Sequence, residues 1–420
     1  MTGTVRELRV HESVRALVRP FVTAIRRADA IPVVLVEAVD DTGASGWGEA
    51  AVSWRVTGES PASVRAAVLG PLSDVVVGRP LDATATLGAD LARAVVQNAA
   101  ARSAVECAVQ DLSAARRGLT LAAALGAPGP GLSGGRGRRT GPGVRSDVGL
   151  RSDLRVPADL TEPADVRVRT DITVSAASTE TLVAVARQHV ADGFTTIKVK
   201  VGAGGDDRAA LVALRESVGP DVVLRVDANQ AWGVDEAVGI IRYWEAAGVG
   251  LELVEQPVRA RDLDGLAAVT AQVGTPVLAD ESVRTSDDLR EVIRRRAAGL
   301  VNLKLAKTGG LAAARSMAEL AARNGIGVVV GCMMESSVGV AAAAALAASL
   351  GGADAARTHD LDAGLWQSTS PVRGGIRYDG AEVALSSRPG LGIDGPAGDG
   401  PLVGDDPAVD LPAAQRTVAP

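Results

Sequence analysis

From about residue 170 onward, two hydrophobic patterns alternate along the chain. Short runs of β-branched and apolar residues are each followed by a turn and then by a longer segment with apolar residues at helical spacing, often ending at a glycine. Seven or eight such units in about 200 residues predict an α/β fold with a parallel sheet. A closed barrel is the most economical arrangement, although a doubly wound open sheet would give the same local pattern. The predicted strands cover residues 169–175, 195–201, 222–229, 250–257, 276–282, 300–307, 326–332 and 356–362.

The N-terminal part of the chain has a different pattern. Strand-like segments at 31–43 and 46–54 precede helical segments that continue to residue 118, which is typical of a separate α+β domain packed over one end of the barrel. Residues 126–168 are rich in Gly, Pro, Arg and Asp without an apolar period, so we predict a flexible insertion there, and a disordered tail at 395–420. We assign residues 1–125 to the N-terminal domain, completed by part of 370–394, and residues 169–369 to the barrel.

The composition restricts the class of partner. The chain of 420 residues has a net charge of −6, and its hydrophobic residues, 47% of the total, include few aromatics, so the core must be aliphatic. This charge disfavours binding to nucleic acid or an anionic membrane and favours a small-molecule substrate. Cys107 and Cys332 are too few and too far apart to predict disulfides or a zinc site, and three scattered histidines exclude a His-rich metal centre. The N-terminal segment has no continuous apolar run, so we expect a cytoplasmic location, and we expect a homo-oligomer.

Lysine usage points to candidate chemistry. The chain has four lysines against forty arginines, and the lysines occur in pairs within two apolar segments, FTTIKVKVG at 194–202 and VNLKLAKTGG at 301–310. Arginine stays protonated in proteins, whereas a lysine can lose its proton when it is desolvated or lies near another cation. Lys198 and Lys200, at i and i+2 of a predicted strand, share one face. They are candidates for acid–base chemistry; the alternative is that a GC-rich genome left few lysine codons by chance.

Acidic residues end three successive predicted strands. Asp227 ends VVLRVD, Glu255 ends LELVE, and Asp280 follows PVLA. Because the carboxyl ends of barrel strands surround one mouth, these carboxylates would repel one another unless a cation lies between them. Oxygen ligands without His or Cys favour Mg²⁺, with Mn²⁺ possible. A helix N-cap would explain a single Asp equally well, but the repetition on consecutive strands favours a metal site.

The lysines and the predicted metal site together indicate a reaction. Lys200 ends the strand before the three carboxylate-bearing strands, and Lys304 ends the strand after them. A divalent cation would bind a substrate carboxylate and stabilise the enediolate that forms when the α-proton leaves, while a lysine on each face removes and returns the proton. Removal from one face and return to the other inverts the carbon, which predicts epimerisation.

Five motifs, KVK, VDANQAW, VEQPV, ADES and NLK, in this order, resemble the enolase superfamily and, within it, the muconate-lactonizing-enzyme subgroup. The resemblance covers the chain to about residue 394, apart from the insertion, and implies a (β/α)7β modified TIM barrel with an N-terminal α+β capping domain. It implies that Lys200 and Lys304 are the acid–base residues and that Lys198 polarises the substrate carboxylate and tunes Lys200. Lys307 matches no catalytic position. The implied ligands of one Mg²⁺ are Asp227, Glu255 and Asp280.

A further resemblance concerns the substrate. The motif HDLDAGLW at 359–366 resembles the Asp-x-Asp strand of dipeptide epimerases, whose pair holds the substrate's free α-ammonium group; here the pair is Asp360 and Asp362. The segments RPFVTAIRR at 19–27 and RVTGES at 55–60 resemble the substrate-covering loops of alanine–glutamate dipeptide epimerases. This places Arg26 against an acidic side chain of the substrate. Spacing also matches three substrate-lining positions, which are Thr173, Cys332 and Met334.

Enzymes of the same superfamily with other activities use the same lysines and metal site. o-Succinylbenzoate synthase, N-acylamino-acid racemase and muconate cycloisomerase act on substrates without a free ammonium group, so Asp360 and Asp362 favour a dipeptide epimerase over them. A non-catalytic binding protein built on the same barrel is the alternative of another class. The presence of lysines at these positions in a lysine-poor chain argues against it.

Overall fold

A computed structural model describes residues 3–23, 26–128 and 166–397. Its N-terminal domain begins with a three-stranded antiparallel sheet in which the second strand is central. The longest helix of this domain packs on the third strand, because Gly46 and Gly48 place no side chain against the backbone carbonyls of Ala104 and Ala108. The elements are β1 (Val5–Thr23), β2 (Arg26–Asp40), β3 (Ser45–Ala50), α1 (Pro61–Ala67), a π-type turn (Val68–Leu72), α2 (Ser73–Val76), α3 (Leu87–Ala94), α4 (Ala99–Arg116) and α5 (Leu121–Ala124).

The barrel domain contains a curled sheet of seven parallel strands that are hydrogen-bonded in chain order. Along each strand, alternate residues point outward against the helices or inward. Ile197 and Val199 belong to the apolar layer beneath the helices, whereas Lys198 and Lys200 point into the barrel. The strands are β5 (Ile172–Val174), β6 (Thr196–Lys200), β7 (Val223–Asp227), β8 (Leu251–Glu255), β9 (Val277–Ala279), β10 (Leu300–Lys304) and β11 (Gly327–Gly331).

The barrel helices begin where polar side chains accept backbone N–H groups. Ser178, Asp206, Asp262 and Thr285 each cap a helix in this way. The helices are α6 (Thr179–Ala191), α7 (Asp207–Val218), α8 (Val234–Ala246), α9 (Leu263–Gln272), α10 (Ser286–Arg295), α11 (Leu305–Thr308), α12 (Leu311–Arg323), α13 (Ser337–Ala348) and α14 (Gly352–Ala355). None of the helices in the described ranges is long and apolar enough to cross a membrane.

A short segment around residue 360 closes the barrel. His359 pairs in parallel with Thr170, ahead of β5, and Asp360 pairs in parallel with Gly331 of β11. Backbone hydrogen bonds of 2.9–3.0 Å tie the segment to both neighbours. The predicted eighth strand at 356–362 therefore occupies its place between the first and seventh strands, although its regular pairing is limited to two residues. The (β/α)7β barrel and the N-terminal α+β domain are confirmed.

Four short strands after the closing segment complete the described chain. Strand β4 (Arg167–Arg169) pairs with one of them, so two residues at the end of the predicted 126–168 insertion are in a sheet; residues 129–165 lie outside the described residues. The last strand extends to Pro396, two residues into the predicted 395–420 tail, of which residues 398–420 also lie outside the described residues. The domain bounds proposed above stay predictions. The strands are β12 (Val372–Gly374), β13 (Arg377–Asp379), β14 (Glu382–Ala384) and β15 (Ile393–Pro396).

Two buried carboxylates of the N-terminal domain fix its position on the barrel. Glu49 accepts hydrogen bonds from the backbone N–H groups of Ser336 and Gly339 at the start of α13. Glu106 accepts one from the N–H of Ala312 at the start of α12, at 3.0 Å. Carboxylates are favourable at helix N-termini, and these contacts place the capping domain over the mouth of the barrel.

Candidate active site

The predicted acid–base and metal residues meet at the mouth of the barrel. Lys200, Asp227, Glu255 and Lys304 are the last residues of β6, β7, β8 and β10, and Asp280 directly follows β9. All five residues are at most 8% exposed. The parallel register sets Lys200 beside Asp227 and Asp227 beside Glu255, so residues far apart in the sequence share one layer.

The two predicted bases approach this layer from opposite walls. The barrel has eight positions, of which the closing segment is one. On one side β7, β8 and β9 lie between β6 and β10, and on the other side β11, the closing segment and β5 lie between them. Lys200 Nζ lies 2.6 Å from Asp227 Oδ2, and Lys304 Nζ lies 3.0 Å from Asp280 Oδ2. A substrate carbon held between the two lysines would therefore have an amine on each face.

Lys198 lies one layer deeper, among three carboxylates. Its Nζ is 2.6 Å from Glu255 Oε2, 2.9 Å from Asp360 Oδ2 and 3.4 Å from Asp227 Oδ2. Burial by itself would lower the pKa of Lys198, but the surrounding carboxylates outweigh burial and raise this pKa well above its ordinary value. Lys198 is thus a fixed cation, suited to attracting a substrate carboxylate and not to exchanging a proton.

The chemistry of the three strand-end carboxylates fits a hard divalent cation. Burial and the negative charge of Asp227 raise the pKa of Glu255 to about 7, so a third negative charge is unfavourable here without a further cation. Burial also disfavours the charged forms of Asp227 and Asp280. The neighbouring lysine ammonium groups outweigh this effect of burial and hold both pKa values below their ordinary range. The trio provides oxygen donors without nitrogen or sulfur, which is the set that Mg²⁺ and Mn²⁺ prefer.

A second acidic cluster lies across the cavity, on the closing segment and beside β5. One oxygen from each of Asp171, Asp360 and Asp362 lies within 4.8 Å of the others. Such a cluster also meets the distance requirement for a metal ion. However, Asp171 already binds Arg225 at 2.8 Å and Asp360 binds Lys198 at 2.9 Å, so two of the three charges are neutralised. This arrangement suits a single positive charge, such as an ammonium group, better than a divalent ion.

Asp362 is the least neutralised member of this cluster. Its Oδ2 accepts hydrogen bonds from the backbone N–H of Thr173 at 2.6 Å and from Trp366 Nε1 at 3.2 Å. Within the described residues, the buried Oδ1 atom has no hydrogen-bond partner. Burial and the charge of Asp360 raise the pKa of Asp362 to about 6. Asp362 is fully buried and lies behind Asp360, which is the member of the cluster that lines the cavity, so its free oxygen is an unsatisfied acceptor beneath the cavity wall.

Three residues in this network had no role in the sequence analysis. Asn302 Nδ2 donates to Glu255 Oε1 at 3.0 Å and to Asp360 Oδ2 at 3.2 Å, and so links the two acidic groups. Lys307 Nζ donates to the backbone oxygen of Asp280 at 2.5 Å and pairs with its carboxylate. Asp171 is the third. Asn302 and Asp171 could have been found, since each lies two residues before a predicted site residue on the same strand face.

A cavity that is open to solvent lies above these residues and is lined by both domains. Thr173, Cys332 and Met334, the predicted substrate-lining residues, all contribute to its wall, and Cys332 Sγ donates to the backbone oxygen of Asp360 at 3.2 Å. From the capping domain, Phe21 packs with Met334 in one apolar cluster. Arg26 is the first residue of β2, but its side chain lies outside the described residues.

The capping domain, the barrel and the arrangement of the site residues together indicate one enzyme family. The chain belongs to the mandelate racemase/muconate lactonizing enzyme family of the enolase superfamily. The family's N-terminal domain model, "Mandelate racemase / muconate lactonizing enzyme, N-terminal domain", matches residues 5–126, and the model "Enolase C-terminal domain-like" matches residues 181–396.

Among particular members, the chain is similar to dipeptide epimerases. It is 37% identical to the L-Ala-D/L-Glu epimerase of Bacillus subtilis (strain 168) over 383 residues, which are 91% of this chain and 94% of the relative. The solved structure of a substrate-liganded complex of the Bacillus subtilis epimerase matches with a TM-score of 0.82, at 35% identity, over 94% of this chain and 99% of that one. The dipeptide epimerase of Enterococcus faecalis V583, complexed with Mg and the dipeptide L-Leu-L-Tyr, matches with a TM-score of 0.80, at 30% identity, over 93% of this chain and 99% of that one.

Proposed function

We propose that this protein is a Mg²⁺-dependent dipeptide epimerase, an isomerase that moves the proton on the carbon alpha to the substrate carboxylate from one face to the other. The observation that carries this proposal is the placement of Lys200 and Lys304 on opposite walls, with three carboxylates between them on one side and an acidic pair on the other. The reactions and ligands named for the similar epimerases support it.

The lysines perform the proton transfer. When Lys200 or Lys304 is neutral, its amine takes the α-proton and becomes an ammonium group, leaving the electron pair in an enediolate. The opposite lysine, which is protonated, then gives its proton to the other face of the same carbon. The carbon is inverted, no atom is gained or lost, and the lysines return to their starting state by exchange with solvent.

Charged residues stabilise the enediolate and hold the substrate. When bound by Asp227, Glu255 and Asp280, Mg²⁺ supplies positive charge that favours the doubly charged enediolate. Lys198 adds a fixed positive charge beside the same carboxylates. At the other end of the substrate, we assign the free α-ammonium group to Asp360 and Asp362. The remaining substrate contacts that we propose are Arg26 with an acidic side chain, and Thr173, Cys332 and Met334 along the cavity wall.

A library experiment tests this function against its rivals. The protein is incubated with Mg²⁺ in D₂O with dipeptides, N-acylamino acids and muconate, and each recovered compound is analysed by mass spectrometry for α-deuterium or conversion. We expect deuterium in dipeptides with a free ammonium group, and a loss of exchange when EDTA removes the metal. Exchange in N-acylamino acids but in no dipeptide would favour a racemase and contradict the assignment of Asp360 and Asp362.

We also propose a cytoplasmic location and a homo-oligomeric state. Both cysteines are free and buried, as is ordinary in a reducing compartment. The 1–125 capping domain, the contribution of 370–394 to it and the 169–369 barrel are retained as the domain assignment. Sedimentation velocity with the purified protein tests the oligomeric state, and a monomer would contradict it.

A further inference from the structure

Lys307 is the one lysine of the chain to which the proposed function gives no part. It is 5% exposed, and the described residues that line the active-site cavity include Asp280 and Lys304 but not Lys307. Lys307 therefore lies behind the cavity wall, where it does not reach a bound substrate. Its ammonium group contacts Asp280, one of the proposed metal ligands.

The ammonium group of Lys307 has three acceptors, one for each of its N–H bonds. Nζ donates to the backbone oxygen of Asp280 at 2.5 Å, to the backbone oxygen of Asn302 at 3.1 Å, and to Oδ1 of Asp280. A lysine ammonium group is a compact donor of three hydrogen bonds, whereas the guanidinium group of arginine is a larger planar fork. Three oxygens that converge on one nitrogen therefore suit lysine and not arginine, which accounts for a lysine here in a chain with forty arginines.

Lys307 also extends the connection between two barrel strands. Strands β9 and β10 pair over two residues of each strand, and β9 ends at Ala279. At the same register the next pair would be Asp280 and Asn302. The backbone oxygens of these two residues are the ones that the Lys307 ammonium group joins. The lysine side chain thus ties Asp280 to β10 at the point where the regular pairing stops.

The contacts of Lys307 select which oxygen of Asp280 is directed to the cavity. Because one ammonium group holds both the backbone oxygen and Oδ1 of this residue, the carboxylate has little freedom to rotate. Oδ2 is left on the side of Lys304, which lines the cavity and whose Nζ lies 3.0 Å away. Oδ2 is therefore the oxygen of Asp280 that is presented to an ion at the strand ends.

The capping domain supports the turn that carries Lys307. Helix α11 makes a single turn directly after β10 and is followed by Gly309 and Gly310, which both have positive φ. A Cβ atom on Gly310 would overlap the Glu106 carboxylate of α4, so the turn packs closely against this helix. Ala306 belongs to the apolar cluster of the capping domain. The main chain of Lys307 is thus held against α4 while its side chain holds Asp280.

We propose that Lys307 is a positioning residue for the metal site, which orients the carboxylate of Asp280 so that Oδ2 can bind Mg²⁺. This role rests on the proposed function, in which Asp280 is a metal ligand, and Lys307 takes no part in proton transfer. Residues that hold metal ligands typically change metal affinity or activity by roughly 10- to 100-fold when they are substituted. Lys307 acts through orientation and not through its charge, because a positive charge beside the site would by itself repel a cation.

Two variants separate orientation from charge. Lys307→Arg keeps the positive charge but cannot place three donors at one point, and Lys307→Met has a side chain of similar length without a donor. Leu182→Ala, at a buried residue of α6, is the control for a loss of stability away from the site. The Kd for MgCl₂ alone is measured by isothermal titration calorimetry on each metal-free protein, and urea unfolding shows which proteins are folded.

We expect a Kd for Mg²⁺ that is about tenfold or more higher in both Lys307 variants, and equal Kd values in the wild type and Leu182→Ala. The Mg²⁺ concentration for half-maximal α-deuterium exchange of L-Ala-L-Glu should rise by the same factor. Loss of a positive charge alone would strengthen the binding of Mg²⁺, so weaker binding by Lys307→Met reports the loss of orientation. If Lys307→Arg does not fold, Lys307→Met decides the question.

Three results would overturn the positioning role. These are a wild-type Kd in Lys307→Arg, tighter binding of Mg²⁺ by Lys307→Met, and an equal loss of affinity in Leu182→Ala. A wild type that binds no Mg²⁺ would contradict the metal site of the proposed function, and the role of Lys307 with it. A wild type that binds Mg²⁺ beside Lys307 variants of equal affinity would contradict the role of Lys307 alone, so the two failures are distinguishable.

Discussion

Substitution of Asp362 perturbs the proposed ammonium site selectively. Its Oδ2 accepts from Thr173 N–H and Trp366 Nε1, while Oδ1 has no partner among the described residues. Asp362→Asn keeps one oxygen for the first two donors and replaces the free oxygen by an amide NH₂, which cannot accept a hydrogen bond from an ammonium group. Asp360 is less suitable, because its carboxylate also neutralises Lys198.

The magnitude follows from the lost interaction. A hydrogen bond to a charged group contributes about 1.5–3 kcal/mol, which corresponds to a loss of roughly 10- to 150-fold in kcat/KM for a dipeptide. The pH dependence should change as well. Because burial and Asp360 raise the pKa of Asp362 to about 6, its carboxylate becomes neutral as the pH falls through that value. The KM of the wild type for a dipeptide should therefore rise below pH 6, and this rise should be absent in Asp362→Asn.

The assay compares two substrates that differ in one charge. Rates of α-deuterium exchange are measured by NMR with L-Ala-L-Glu and with N-acetyl-L-Ala-L-Glu, which has no ammonium group. We expect a large loss in Asp362→Asn with the first substrate and a small change with the second. Asp379→Asn, at an exposed residue paired with Arg167, is the control. Equal losses with both substrates, or no loss with either, would refute the assignment of Asp362.

Two further predictions concern buried charges. Lys307→Met should lower the free energy of unfolding by about 3 kcal/mol, because the carboxylate of Asp280 loses a buried cation; equal urea midpoints for variant and wild type would contradict this. Burial raises the pKa of Glu106 from an ordinary 4.5 to about 7. A carboxyl group whose pKa is higher in the folded protein than in the unfolded protein stabilises the fold fully below its unfolded-state pKa. This stabilisation is lost as the pH rises through its folded-state pKa. Relative to Glu106→Gln, the wild type should therefore lose about 1 kcal/mol between pH 6 and pH 8 in urea unfolding, and a difference independent of pH would argue against a raised pKa.

The central site residues could be placed from the sequence because of one geometric rule. In a parallel barrel, strand ends fall in one layer, so the last residues of β6, β7, β8 and β10 had to meet. Site residues that have no unusual sequence feature were not predicted. Asn302 is neutral, Asp171 has no distinctive motif, and Arg225, which neutralises Asp171, is one of forty arginines. The i, i+2 spacing places Asn302 and Asp171 on the same strand face as predicted site residues, but it does not define which residues of the other strands they contact.

Some elements of the fold could not be predicted from local sequence patterns. Helix α13 is buried on nearly all sides, so its sequence has no alternation of apolar and polar positions from which a helix period could be recognised. Strand β4 pairs with β14, more than two hundred residues later in the chain, and such non-local pairing explains why residues 167 and 168 were assigned to the insertion. The closing segment was predicted correctly in position, but its regular pairing is shorter than the predicted strand.

The central claim is that Lys200 and Lys304 serve opposite faces of one carbon. Lys200→Arg and Lys304→Arg each keep a cation but remove the group that can release its proton. With Mg²⁺ in D₂O, each variant is given the L,L and the L,D dipeptide separately, and α-deuterium is measured by mass spectrometry. The account predicts that each variant exchanges the proton of one epimer, that the epimer differs between the two variants, and that neither variant interconverts the epimers. Exchange of both epimers by either variant, or continued epimerisation, would contradict it.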